Sequence, residues 1–201
     1  MIYHIHEETP NKRHISQAAD ILCSGGILIY PTDTVYSFGC DYSNRESIAK
    51  INRLINRDPK KPLSIIINDI SVMHNYVRHV SNEAFKIIKK TAPGPFTYIF
   101  EASKDIPKIL LTKQKTIGIR IPDNNFLREL ISVFNKPVIS TSVDTEPGDY
   151  MIDPVFLEEK YRKSVDLVLD AGLKNSELST MIDFSGTSPV ILRQGKGIVD
   201  I

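Results

Sequence analysis

Tyr30-Pro31-Thr32-Asp33-Thr34-Val35-Tyr36-Ser37-Phe38-Gly39-Cys40-Asp41 decides the fold, because an apolar strand runs straight into hydroxyls, an acid and a tyrosine. Just upstream, Gly25-Gly26 ends a helix, and the continuous apolar run Ile27 to Tyr30 suits a strand buried on both faces. Polar residues then gather at the strand's end, as they do in a binding strand. The same residues also satisfy a plain Pro-Thr-Asp-Thr turn held by side-chain to backbone hydrogen bonds.

Outward from this stretch, strands and helices alternate. Ile2 to His6 alternates as an edge strand, and His14 to Ser24 places Ile15, Ala18, Ala19 and Leu22 on one helical face. Ser43 and Glu46 have capping-box spacing and predict a helix through Ile48, Ile51, Leu54 and Ile55. Leu63 to Ile67 reads as a buried strand, Ser71 to Val80 and Ser81 to Thr91 as two helices, and Phe96 to Phe100, after Pro93-Gly94-Pro95, as a strand. Thr116 to Ile121 is a strand, Asn124 to Phe134 a helix, Pro137 to Thr141 a strand and Pro154 to Arg162 a helix. Val165 to Leu169, Met181 to Phe184 and Val190 to Leu192 complete the strands, while Lys104 to Lys115 and Asp144 to Asp153 read as loops able to move. The mixture predicts an open α/β sheet in a single domain over residues 1–201.

Composition narrows the function classes. A chain of 201 residues with 41% hydrophobic content can bury a sizeable core. Its 25 Lys and Arg against 24 Asp and Glu leave a net charge of +1, so bulk electrostatics give no case for a nucleic-acid or membrane partner, although a local basic site stays open. Cys23 and Cys40 lack metal-type spacing and fit a reducing interior. No apolar run is long enough to span a bilayer and Met1 to His6 does not read as a secretory leader, so a cytoplasmic location is expected.

The chemistry-bearing residues cluster at strand ends, where ligands sit in open α/β sheets. They are Thr32 and Thr34; Arg57, Lys60 and Lys61; Arg120; Ser140-Thr141-Ser142; Ser179-Thr180; and Arg193. Arginine forks and mobile lysines among hydroxyls suit an anionic ligand, and a nucleotide is the economical reading. Arg120 and Arg193 stand out, because each ends an apolar strand, whereas Lys60 and Lys108 read as solvated surface charges. Neither GxxxxGK[ST] nor GxGxxG is present, and Gly195-Lys196-Gly197 is too short a signal. His4 and His6 share a strand face without a third ligand and read as surface histidines. Ser140 and Ser142 have no histidine in an elbow motif, so binding is their expected role and no catalytic residue is assigned. Tyr3, Tyr76 and Tyr98 read as packing residues.

In order along the chain, Pro31-Thr32-Asp33-Thr34-Val35-Tyr36 with Gly39-Cys40-Asp41, Arg57, Lys61-Pro62-Leu63, Pro93-Gly94-Pro95-Phe96-Thr97, Gly118-Ile119-Arg120-Ile121-Pro122, Ser140-Thr141-Ser142, Ser179-Thr180-Met181-Ile182-Asp183 and Leu192-Arg193-Gln194-Gly195 resemble the YrdC/YciO family. The best-known members of that family are threonylcarbamoyl-AMP synthases. The resemblance implies a single YrdC-like twisted open sheet with flanking helices around a concave basic groove, without the extra C-terminal domain of longer members. It also implies a reaction in which L-threonine, bicarbonate and ATP with Mg2+ yield threonylcarbamoyl-AMP and pyrophosphate, for threonylcarbamoyladenosine modification of tRNA. In those terms Thr34, Arg120, Ser140 and Ser179 fall where the family contacts threonine, and Arg57, Lys61, Thr116, Ser142 and Arg193 where it contacts ATP.

The chain also departs from the synthase pattern. Ile55 stands for a Lys, Ile66 for a frequent His, Ser37 for a Gly and Gln194 for a Pro, while Ser142-Val143-Asp144-Thr145-Glu146-Pro147-Gly148 replaces Ser-Ala-Asn followed by Ser-Gly. These changes bring it closer to the YciO branch. A rival expectation is therefore an RNA-binding protein, on double-stranded RNA or the ribosome, that uses the same groove without adenylation. Proteins of tRNA modification are the other partners the resemblance implies.

Overall fold

The structure, a computed structural model, describes residues 1–58, 63–143, 151–175 and 177–201. Lys60, Lys61, Asp144 and Glu146 of the expected site lie outside the described residues. Along the chain run β1 (Ile2–His4), α1 (Lys12–Cys23), β2 (Leu28–Pro31), β3 (Tyr36–Gly39), α2 (Arg45–Leu54), β4 (Ser64–Ile66), α3 (Asn82–Thr91) and β5 (Phe96–Glu101). They are followed by β6 (Thr116–Arg120), α4 (Asn125–Phe134), β7 (Val138–Ser142), β8 (Met151–Ile152), α5 (Pro154–Tyr161), β9 (Leu167–Asp170), β10 (Lys174–Asn175), β11 (Thr180–Asp183) and β12 (Val190–Arg193).

Ten strands form one mixed open sheet in the order β1-β9-β2-β3-β7-β4-β6-β5-β11-β12, and β8 pairs with β10 apart from it. The strand period of two sorts the core onto both faces. Ile27 and Ile29 point to one face with Phe38, Ile65, Ile117, Ile119 and Ile139. Leu28 and Tyr30 point to the other with Ile66, Val138, Leu167 and Leu169, where α1 and α4 cover them. The reading of Ile27 to Tyr30 as buried on both faces therefore holds. Gly25, at φ +79°, turns the chain from α1 into this strand, a conformation that favours glycine.

Three local expectations are corrected. Ser43 is not the cap of α2: Asn44 takes that place, its Oδ1 accepting the Glu46 and Ser47 amides, while Ser43 donates its hydroxyl to Asp41 Oδ1 at 2.7 Å. Ser71 to Val80 is not an α-helix. Residues Ile70–Asn75 form a 3-10 helix capped by Asp69, and Val77 then bridges to Ala102, so pairing with the β5 side interrupts a segment of weak helix formers. Lys104 to Lys115 contains a 3-10 turn at Lys108–Leu110, and the end of the Asp144 to Asp153 loop is β8, with residues 144–150 outside the described residues.

Candidate functional site

The face covered by α1 and α4 turns polar where those helices end. Ser37 pairs with Ser142 between β3 and β7, Ser140 with Ser64 between β7 and β4, and Ser64 with Gly118 between β4 and β6. Paired residues share a face, as do residues two apart on a strand, so Ser37, Ser140, Ser142, Ser64, Thr116 and Arg120 form one polar strip. Gly118 is the gap that this strip needs. A Cβ there would collide with Ser64 Oγ and crowd Thr97, so only glycine lets both lean over β6.

Residues Thr32 to Val35 join β2 to β3 and reach this strip. Thr32 Oγ1 donates to the Val35 carbonyl (2.7 Å) and accepts the Thr34 amide (3.1 Å), so the plain turn reading is correct for the backbone. The side chains do more. Arg120 Nη2 donates to Asp33 Oδ1 at 2.8 Å and to Thr34 Oγ1 at 3.1 Å. The Arg120 and Asp33 side chains are each 7% exposed. The Asp123 amide donates to the other Asp33 oxygen at 3.2 Å, and Lys196 Nζ donates to the Asp33 carbonyl at 2.7 Å.

On the far side of β5, Thr97 Oγ1 and Ser179 Oγ share a hydrogen bond of 2.8 Å. Arg193 grips the same serine, donating from Nε and Nη2 to the Ser179 carbonyl at 3.0 and 2.8 Å and from Nη2 to Ser179 Oγ at 3.2 Å. On the side of Arg120 away from Arg193, from β6 across to β7 and β3, three buried polar atoms, Arg120 Nε, Ser140 Oγ and Ser37 Oγ, have no hydrogen-bond partner among the described residues. A buried donor left without a partner costs about 1–3 kcal/mol, which a polar ligand recovers.

Of the residues expected at a threonine site, the structure thus joins Thr34 directly to Arg120, places Ser140 on the same face, and holds Ser179 against Arg193. The residues expected at a nucleotide site do not form one cluster. Arg57 Nη1 and Nη2 donate to the Ile109 and Leu110 carbonyls at 2.8 and 3.2 Å, and burial lowers its pKa. Thr116 Oγ1 lies 2.8 Å from Thr112 Oγ1, at the opposite end of β6 from Arg120, about 13 Å away at strand rise. Ser142 is exposed, and Lys61 lies outside the described residues.

Asp33, Thr97 and Lys196 are functional candidates that sequence reasoning left unassigned. The first two sit inside quoted motifs, and the third in a Gly-Lys-Gly too short to interpret. Ile66, which stands where the synthase pattern often has a His, is fully buried in the layer of Phe126 and Val138.

Several groups are unsuited to proton transfer or nucleophilic attack near neutral pH. Burial pushes the Cys40 thiol up, helped by Asp41, and pushes the Tyr30 hydroxyl up, its proton donated to the Ile139 carbonyl at 2.7 Å. The Tyr98 phenol is pushed up to about 12, chiefly by burial. His4 pairs with Asp170 (2.7 Å) and His6 lies 3.1 Å from the Thr9 hydroxyl, and among the described residues no group of three or more His, Cys, Asp or Glu could hold a metal ion. A cavity of about 390 Å³ beside Asp33 is lined by Glu7, Glu8, Asp123, Lys174 and Lys196; its carboxylates disfavour phosphate there. The strip itself offers guanidinium and hydroxyl donors, an arrangement for binding an anion and aligning it.

A family model for the Sua5/YciO/YrdC domain, described as telomere recombination, matches residues 20–195. The chain is 33% identical to a putative threonylcarbamoyl-AMP synthase of Methanocaldococcus jannaschii over 96% of this chain and 91% of that one. The crystal structure of Escherichia coli YciO, a protein described as uncharacterized, superposes with a TM-score of 0.92 at 32% identity, covering 98% of this chain and 97% of that one. The structure of P. abyssi Sua5 complexed with L-threonine has the same fold, at a TM-score of 0.88 and 23% identity over 97% of this chain and 57% of that one. No helix among the described residues is long and apolar enough to cross a membrane.

Proposed function

The chain belongs to the Sua5/YciO/YrdC family, and on that footing we propose that it is a nucleotidyltransferase of the threonylcarbamoyl-AMP synthase type, acting in tRNA threonylcarbamoyladenosine formation. The observation that carries the reading is Arg120, a buried guanidinium held beside the Thr34 hydroxyl with its Nε unpartnered. That combination fits an amino acid bearing a carboxylate and a hydroxyl. Ser140 and Ser179 supply further hydroxyls, and L-threonine meets all of these groups.

In the proposed reaction the threonine amine and bicarbonate give a carbamate and water. A carbamate oxygen then attacks the α-phosphorus of ATP, the bond from that phosphorus to the bridging oxygen breaks, and pyrophosphate leaves. Such a step needs alignment and charge neutralisation more than a dedicated base. Magnesium enters as the counter-ion of ATP. Arg193, with Arg57, Lys61, Thr116 and Ser142 towards the other end of the strip, is assigned to the nucleotide. Arg57 reaches a phosphate only by exchanging its present carbonyl partners, and Ile66 contributes packing rather than a polar contact.

Incubation of the pure protein with L-threonine, bicarbonate, magnesium and ATP is expected to release pyrophosphate and the adenylate in equal amounts. Release no greater than in a control without threonine overturns the reading. A second reading, RNA binding without adenylation, is favoured by one observation: Lys104, Lys108, Lys113 and Lys115 are all exposed around a single acid, Asp105. Binding of double-stranded RNA that weakens steeply with salt, in a protein inactive with ATP, supports that alternative.

A further inference from the structure

Ser37 is 1% exposed, and its hydroxyl has no hydrogen-bond partner among the described residues. It faces the polar strip: across the ladder it pairs on one side with Tyr30 and on the other with Ser142. Ser140, two residues from Ser142, is its diagonal neighbour, about 7–8 Å away, and carries another unpartnered buried hydroxyl. Tyr30 donates its own proton to the Ile139 carbonyl, and no hydrogen bond joins it to Ser37. Ser37 therefore lies directly across from Ser142, assigned to the nucleotide, and diagonally from Ser140, assigned to threonine.

From this placement we infer that Ser37 is a specificity-determining residue whose hydroxyl donates to the carbamoyl-phosphate junction of the joined product. The inference rests on the reading of the strip as a site that joins threonine to a nucleotide, and it assigns a role to a residue which that reading leaves unused. A group that contacts only the junction binds neither half strongly. It recognises the two halves once they are connected. In the free protein the same hydroxyl is a buried donor without a partner and destabilises the fold.

The test uses the whole chain, as wild type, Ser37→Ala and Ser37→Gly. The probes are L-threonine, AMP, and a stable analogue in which the threonine amine is joined through a urea carbonyl to adenosine 5′-sulfamate. For Ser37→Ala the affinity for the analogue is expected to fall about tenfold, the scale of one lost hydrogen bond, while affinities for threonine and AMP alone change less than about twofold. The melting temperature of the free Ser37→Ala protein is expected to rise by about 2–4 °C, because the unpartnered hydroxyl is gone. A merely structural serine moves that temperature down. Ser37→Gly is expected to lose the analogue's affinity equally, which separates the hydroxyl from the shape of the alanine. Unchanged analogue affinity in both variants, or an equal loss for threonine alone, overturns the role of Ser37 and leaves the synthase reading standing. If the wild type binds none of the three probes, both fall.

Discussion

Asp33 and Arg120, 87 residues apart in the sequence, meet at 2.8 Å with both side chains almost excluded from water. Removing one member of a buried pair strands the other charge. Asp33→Ala is therefore expected to lower unfolding stability by about 3–5 kcal/mol, read from urea denaturation. Asp33→Asn, which keeps an acceptor for Arg120, is expected to lose less. A loss below about 1 kcal/mol in the alanine variant would show that solvent screens the pair.

Arg193 donates from Nε and Nη2 to Ser179, so its removal is expected to act on both proposed ligands. For Arg193→Ala, calorimetry is expected to show L-threonine affinity reduced roughly 10- to 100-fold, the scale of hydrogen bonds to a charged group, with nucleotide affinity falling as well. Arg193→Lys is expected to restore little, because an ammonium cannot reproduce two bonds from a planar fork. Weakened nucleotide binding with unaltered threonine binding would assign Arg193 to phosphate alone.

Arg57 holds the Ile109 and Leu110 carbonyls. Arg57→Ala is expected to speed amide exchange across residues 105–111 while leaving β6 protected. Exchange unchanged in that segment would mean that the loop is held by its own buried Ile106 and Leu110 instead.

The buried phenols set an alkaline limit. The Tyr98 phenol has its pKa raised from 10.0 to about 12, chiefly by burial, so its protonated form is favoured in the fold. Below pH 10 it is protonated in both folded and unfolded chains; between about 10 and 12 only the unfolded chain loses the proton. Stability contributed by this group is thus complete below pH 10 and is lost as pH rises towards 12. Denaturation midpoints measured between pH 8 and 11.5 are expected to decline above pH 10, and less steeply in Tyr98→Phe. An identical decline in the variant would exclude Tyr98 as a source.

L-Threonine is expected to raise the melting temperature more than L-valine does. The two are near isosteres, and only threonine can pair with the hydroxyls of Thr34, Ser140 and Ser179. Equal shifts from both would reduce these hydroxyls to strand-end caps.

Strand positions were legible because apolar runs, continuous in Ile27 to Tyr30 and alternating in Ile117 to Ile121, declare themselves locally. The hairpin to β3 was less so, since Tyr36 to Gly39 mixes a serine and a glycine into a strand that tertiary pairing completes. At the candidate site, Thr34, Arg120, Ser140 and Ser179 were singled out because hydroxyls and a cation end or interrupt otherwise apolar strands. Asp33 escaped assignment because its partner is an arginine far along the chain, and Lys196 because its only target is a backbone carbonyl, which leaves no residue-type signature. Arg57 shows the converse: its place near the site was inferred, but its engagement with two carbonyls depends on a loop geometry that no spacing encodes.

The hydrogen bonds that build the site also bear on biosynthesis. Thr97 meets Ser179 across 82 residues, Thr34 meets Arg120 across 86, and Asp33 meets Lys196 across 163. During vectorial synthesis the Thr32 to Thr34 segment emerges early and waits for partners that the ribosome has yet to make. Contacts of such long sequence separation form slowly, because loop closure precedes their reward. A nascent chain therefore brings Thr34 and Arg120 within reach long before Arg193 exists, and a chain cut short before Ser179 lacks both that serine and the arginine that grips it.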